Sequence, residues 1–84
     1  MKMSYEKVKQ AKKTIIGTKQ AVKAMKKGLV KEVYIALDVE ERIIELARST
    51  AQENNVLIYY VESKIDLGKA CGMRLGASVV ALTV

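Results

Sequence analysis

The stretch Gly17-Thr18-Lys19-Gln20-Ala21-Val22-Lys23 holds the residue types from which an anion site is built. It reads as the end of a strand, a sharp turn and the opening of a helix. The first backbone N–H groups of a helix have no intrahelical acceptor, and the aligned peptide dipoles leave that end partly positive. Lys19, Lys23, Lys26 and Lys27 add whole charges, and no acid interrupts them before Gly28. The chemistry this implies is the holding of phosphate groups. Taken locally, the same residues also make an ordinary surface helix with Thr18 as its cap.

The distribution of charge separates the two readings. Residues 1–31 carry ten lysines against the single acid Glu6, a balance of +9. Residues 32–63 carry Arg42 and Arg48 against seven acids, −5, and residues 64–84 carry Lys64, Lys69 and Arg74 against Asp66, +2. The net charge is +6. The surface of a domain without a charged partner mixes its signs. Segregation of basic charge is the footprint of a polyanionic partner. Beyond Tyr5 the lysine-rich segments hold no aromatic residue, so stacking of single-stranded bases is not the expected mode.

Several chemistries are excluded by composition. The chain has no His, which removes Ser-His and Cys-His nucleophile pairs and imidazole metal sites. Its one cysteine, Cys71, can form neither a thiolate zinc site nor an internal disulfide, and fits a reducing cytoplasm. Glu40, Glu41 and Glu45 read as a solvated helix face whose acids match the macrodipole. No phosphate-loop or dinucleotide fingerprint is present. The expectation is a non-enzymatic protein without cofactor or metal. No apolar run is long enough for a membrane span or a signal sequence.

The 84 residues suffice for one small domain. A helix over Tyr5–Lys13 is capped by Ser4. Thr14-Ile15-Ile16 is a short β-branched strand. In the helix opened by Thr18, Ala21, Val22, Met25 and Leu29 recur at helical spacing and face a core, and Gly28 supplies its left-handed end. Glu32–Leu37 and Val56–Val61 are near-continuous apolar strands of the kind buried on both faces. Asp38 with Glu41 has the spacing of a capping box for a helix whose apolar positions are Val39, Ile43, Leu46, Ala47, Thr50 and Ala51, ending at Asn54-Asn55. Ser63 with Asp66 repeats that spacing before a short helix to Cys71, with Gly72 after it. Ser78–Thr83 closes the chain as a strand. Helices alternating with apolar strands define an α/β fold, expected as a single-domain three-layer α-β-α sandwich of four strands and four helices.

In such folds ligands gather where strand ends meet helix starts. Two of these junctions are basic, Ile16-Gly17-Thr18-Lys19 and Val61-Glu62-Ser63-Lys64-Ile65. The third, Leu37-Asp38-Val39-Glu40, is acidic. Were the first two side by side, they would form one basic edge.

These segments, written I-G-T-K-Q-x-x-K-x-x-K-K-G, A-x-D and Y-x-V-E-S-K-x-x-L-G-K-A-C-G, resemble the kink-turn RNA-binding ribosomal protein family over essentially the whole chain. The resemblance implies an α-β-α sandwich that binds a bent RNA duplex carrying sheared G·A pairs beside a bulge. In that family the helix after the first strand begins G-x-N-E-x-x-K and enters the widened groove, so that Lys19, Gln20 and Lys23 occupy the contact positions. Only Lys23 matches the usual residue. Gln20 keeps an acceptor oxygen and adds a donor, and Lys19 puts a cation where the family has an amide. The resemblance also implies that Val61, Glu62, Ser63, Lys64 and Ile65 close over the extruded bulge. There Val61 and Ile65 give apolar contact and Lys64 a phosphate contact, while Glu62 is an unexpected neighbour for RNA.

The expected RNA-binding set is thus Gly17, Thr18, Lys19, Gln20, Lys23, Lys26, Val61, Glu62, Ser63, Lys64 and Ile65. The expected partner is structured RNA of the kink-turn type, bound by a cytoplasmic monomer. Two alternatives remain open at this point. One is a ribosome-associated protein docked on ribosomal RNA without kink-turn selectivity. The other is a small regulator that binds a phosphorylated ligand at the helix opened by Gly17.

Overall fold

Apolar side chains in the strands alternate between two separate cores, one on each face of a four-stranded sheet. The computed structural model describes residues 13–83. The elements are β1 (Thr14–Ile16), α1 (Thr18–Lys26), β2 (Val30–Ala36), α2 (Glu41–Glu53), β3 (Leu57–Val61), α3 (Lys64–Ala70) and β4 (Val79–Thr83). The helix expected over 5–13 falls outside the described residues except for Lys13. The strand order is β1-β4-β2-β3. β4 runs antiparallel to both β1 and β2, while β2 and β3 are parallel.

Val33, Ile35, Val79 and Ala81 point to one face, where they meet Ala21, Val22 and Met25 of α1 and Ala47 and Ala51 of α2. Tyr34, Ala36, Val61, Val80 and Leu82 point to the other, where they meet Leu67 of α3 and Ala77. Successive residues of a strand serve opposite faces, so burial on both explains why Val33–Ala36 of β2 and Val79–Leu82 of β4 read as unbroken apolar runs. Tyr34 stacks on Tyr59 with ring centroids 5.1 Å apart and planes 19° from parallel. Each large side chain buried this fully contributes about 1.5–3 kcal/mol relative to exposure.

The helix ends form as expected from local chemistry. At α1, Gly28 has φ 75° and Leu29 N–H donates to the Ala24 carbonyl at 3.1 Å. At α2, Asn55 has φ 57° and Val56 N–H donates to the Ala51 carbonyl at 2.8 Å. Both are left-handed caps that satisfy carbonyls the helix would otherwise leave open. Ser63 caps α3, its Oγ accepting from Asp66 N–H at 3.1 Å.

Several expectations are corrected. Thr18 is not the cap of α1: Gly17 takes the cap position, Thr18 is the first helical residue, and no side-chain cap bond forms. The Asp38–Glu41 capping box is not made either. Glu40 is the N-cap of α2 in an extended conformation, again without a side-chain bond. The Asp38 carboxylate is engaged elsewhere. β3 is not buried on both faces, because it lies at the sheet edge, with Leu57 60% exposed. Leu29 is exposed because α1 ends at Lys26, and the positive φ of Gly28 turns the chain off the apolar stripe. Leu46 is exposed because the small residues Ala47, Thr50 and Ala51 form the centre of the α2 contact and leave it at the margin.

Candidate nucleic-acid interface

Sheet register gathers the candidate loops at one end. Ile16 and Tyr34 both pair with Val80, Ile35 pairs with Val79, and Ala36 pairs with Val61. The C-terminal ends of β1, β2 and β3 therefore lie with the start of β4. Backbone bonds tie the exits together: Gly17 N–H to the Val79 carbonyl at 3.0 Å, Ala36 N–H to Ser78 at 2.9 Å, and Leu37 N–H to Val61 at 2.9 Å.

At the first exit Gly17 has φ 114° and ψ 148°, a conformation that side-chain-bearing residues rarely adopt. A Cβ there would also stand 2.8 Å from Gln20 Oε1, so the Gln20 side chain folds back over the glycine. The first intrahelical bond runs from Ala21 N–H to the Gly17 carbonyl at 2.9 Å. The amides of Thr18, Lys19 and Gln20 precede that bond and form the open donor end of the helix. Lys19, Gln20, Lys23 and Lys26 are all exposed, and Thr18 is half-buried. The three lysines lie within about 60° of one another around the helix axis, opposite the buried Ala21, Val22 and Met25.

At the third exit Val61 is buried at 1% exposure and belongs to the second core. It anchors the loop, and the apolar surface expected of it falls to Ile65, which is 46% exposed. Glu62 and Lys64 are exposed and Ser63 is half-buried. The two basic exits are not side by side. β4 and β2 lie between β1 and β3, a span of three strand spacings, or about 14 Å. The acidic exit of β2 fills part of that span. Asp38 Oδ1 accepts from Lys64 N–H at 3.0 Å, which joins the acidic loop to the start of α3.

A fourth segment at this end was not anticipated. Residues 72–78 return from α3 to β4 along the same edge, carrying the exposed Arg74 and Leu75, the latter 75% exposed. The segment is held tightly against α3. A Cβ on Gly68 would meet the Leu75 carbonyl oxygen at 2.2 Å, and one on Gly76 would meet Lys64 Cγ at 3.0 Å. Ala77 N–H donates to the Lys64 carbonyl at 2.9 Å. Gly72 and Gly76 bracketing Met73-Arg74-Leu75 were the available signal for this loop. Gly68 thus serves packing. Cys71 packs against the second core, and partial burial pushes its thiol pKa up.

The acids Glu40 and Glu45 are exposed and pair with Arg42 and Arg48 on their own helix, as a solvated face requires. Among the described residues no group of His, Cys, Asp and Glu stands together as a metal site. No helix among them is long and apolar enough to cross a membrane.

The fold and this end of the sheet define an α/β domain that presents a cationic helix start and a second exposed helix start at one end of the sheet. The chain belongs to the Ribosomal protein L7Ae/L30e/S12e/Gadd45 family, which it matches over residues 1–84. It is similar to an RNA-binding protein of Geobacillus sp. (strain WCH70), with 49% identity over 80 residues covering 95% of this chain and 98% of the relative. The same figures hold for the RNA-binding protein YbxF of Geobacillus stearothermophilus. An RNA-binding protein of Staphylococcus aureus (strain JH9) is 37% identical over 82 residues, 95% of this chain and 98% of the relative.

Proposed function

We propose that this chain is a non-enzymatic RNA-binding protein that recognises kink-turns as a cytoplasmic monomer with an α-β-α sandwich fold. The reading is supported by RNA-binding relatives that align over nearly the whole chain. The observation that carries it is the exposure of Lys19, Gln20 and Lys23 on the first turns of α1, at the same sheet end as Ser63, Lys64 and Ile65. RNA of this kind is read through shape and through base edges opened by irregular pairs. A helix start enters the widened groove, with its open amides and Lys23 on phosphates. Gln20 accepts from a guanine donor edge and donates through its amide nitrogen. Lys19 reaches guanine O6 and N7 or a phosphate. Ile65 and Leu75 give the bulged nucleotide apolar cover, and Lys64 and Arg74 hold flanking phosphates.

Titration of one kink-turn RNA against its Watson–Crick counterpart, with the G·A pairs replaced, tests the reading. The expected preference for the kink-turn corresponds to about 1–3 kcal/mol. Equal affinity would falsify shape-specific recognition.

A second reading is docking on ribosomal RNA without kink-turn selectivity. It is favoured by the replacement of the family's Asn-Glu pair by Lys19 and Gln20, which shifts the contact toward charge. Co-sedimentation with ribosomes, together with indifference to isolated kink-turns, supports that reading over the first.

A further inference from the structure

One charged side chain at the interface is left unused by the proposed function. Glu62 is exposed and stands one residue past β3, between Val61 of the second core and Ser63, the cap of α3. The backbone is pinned on both sides of it. Leu37 N–H donates to the Val61 carbonyl at 2.9 Å before it, and Lys64 N–H donates to Asp38 Oδ1 at 3.0 Å after it. The loop therefore holds this carboxylate beside any ligand seated on Lys64 and Ile65.

Glu62 makes no ion pair among the described residues. The arginines of α2 are taken by acids of their own helix, Arg42 by Glu40 and Arg48 by Glu45. Lys64 is close in sequence, but its stem runs against the 72–78 segment, where a Cβ on Gly76 would meet Lys64 Cγ at 3.0 Å.

A carboxylate among phosphate-holding groups acts on RNA in two ways. It repels phosphate, which like itself offers only acceptors. It accepts from the amino and imino groups of bases whose edges are free of pairing. A continuous duplex that reaches from Lys19 and Lys23 to Lys64 crosses the sheet end from β1 to β3, about 14 Å, on an unbroken line of phosphates with its base edges paired. A duplex broken by a bulge opens base edges there instead.

We propose that Glu62 is a specificity-determining residue of this interface, which rejects continuous RNA duplex and so raises the preference for kinked RNA. The inference rests on the kink-turn reading of function. Discrimination of this sort comes from a penalty on the wrong partner as much as from contacts with the right one. It gives a role to the one acid in a loop whose other exposed residues, Lys64 and Ile65, favour RNA.

The test titrates a kink-turn RNA and its Watson–Crick counterpart against the full chain and against Glu62→Gln, Glu62→Asp and Glu53→Gln. All three substitutions are at exposed positions, and urea unfolding checks that each variant keeps its fold. Glu62→Gln removes the charge and keeps an acceptor oxygen. It is expected to bind the continuous duplex about two- to fivefold more tightly, the range for an exposed charge pair, with kink-turn affinity unchanged. The preference for the kink-turn falls by the same factor, and the effect shrinks as salt is raised. Glu62→Asp is expected to keep the preference. Glu53→Gln makes the same change of net charge at the end of α2 and is expected to leave the preference as it was. Equal gains for both RNAs in Glu62→Gln, a fall in its kink-turn affinity, or an unchanged preference overturns the proposal. Absence of a kink-turn preference in the unsubstituted protein overturns the reading of function, and this inference with it.

Discussion

Asp38 and Lys64, 26 residues apart in sequence, are joined by a hydrogen bond from the Lys64 backbone N–H to Asp38 Oδ1 at 3.0 Å. Ser63 Oγ takes the Asp66 amide at 3.1 Å, so α3 is capped by two side chains, one local and one from the exit of β2. The acidic loop is therefore a brace for the basic one, holding Lys64 and Ile65 at a fixed height above the sheet end. Asp38→Ala is expected to cost about 1 kcal/mol of stability, the ordinary value of a lost cap. It is also expected to weaken RNA binding, while Asp38→Asn, which keeps the acceptor, restores most of both. Urea unfolding and RNA titration of the three proteins measure this. Unchanged affinity in Asp38→Ala separates the brace from recognition.

Lys23 is exposed one turn into α1, on the face opposite Ala21, Val22 and Met25. Lys23→Ala is expected to lose about 1–3 kcal/mol of RNA affinity. It should also flatten the salt dependence by about one counterion. Lys27→Ala, at the far end of the helix, is the comparison and is expected to lose much less. Titrations at several salt concentrations distinguish the two.

At Gly17 the backbone angle and the Gln20 side chain both oppose a Cβ. Gly17→Ala is expected to destabilise the fold by about 1–3 kcal/mol through backbone strain. It also displaces Gln20 from its folded-back position. A kink-turn preference that survives intact in this variant removes Gln20 from the discriminating contacts.

Gly68 presents the harder steric limit, since its Cβ would fall 2.2 Å from the Leu75 backbone oxygen. Gly68→Ala is expected to cost about 1–3 kcal/mol, the range for overpacking, and to push the Arg74–Leu75 segment off α3. Gly72→Ala, which has open space but a positive φ, isolates strain from collision. Thermal unfolding of both variants reads the difference.

Burial raises the Cys71 thiol pKa, so less of it is thiolate at neutral pH than in the unfolded chain. Alkylation by iodoacetamide is expected to be slower in the native protein than in urea. Because the folded pKa lies above the unfolded one, this group's contribution is present below the unfolded pKa and fades as pH rises through the folded value. Equal native and denatured rates at neutral pH overturn this.

Much of this architecture was legible from neighbours along the chain. Gly28 and Asn55 end their helices and Ser63 starts one, because each acts on backbone groups within about four residues. The apolar runs in β2 and β4, and the stripe Ala21, Val22 and Met25, followed from the two periodicities of strand and helix. The basic helix start was legible for the same reason, since Lys19, Lys23 and Lys26 are brought together by one helix. Asp38 was misread because its local geometry permits a capping box with Glu41, and only an acceptor-seeking amide elsewhere in the fold competes for it.

What the chain alone determined about this protein is therefore its local vocabulary: the helix terminators Gly28 and Asn55, the Ser63 cap, the two-sided strands β2 and β4, and a cationic helix opening at Gly17. The strand order β1-β4-β2-β3 belongs to the tertiary structure. It separates the two basic exits by two strands, places Asp38 on the Lys64 amide, brings Arg74 and Leu75 to the same end, and puts β3 last in the sheet. Strand order depends on which apolar faces bury one another across long stretches of chain, and loop closure over such lengths costs too little to favour one pairing from sequence spacing alone. Packing chose the pairing, and the composition of the candidate interface followed from that choice.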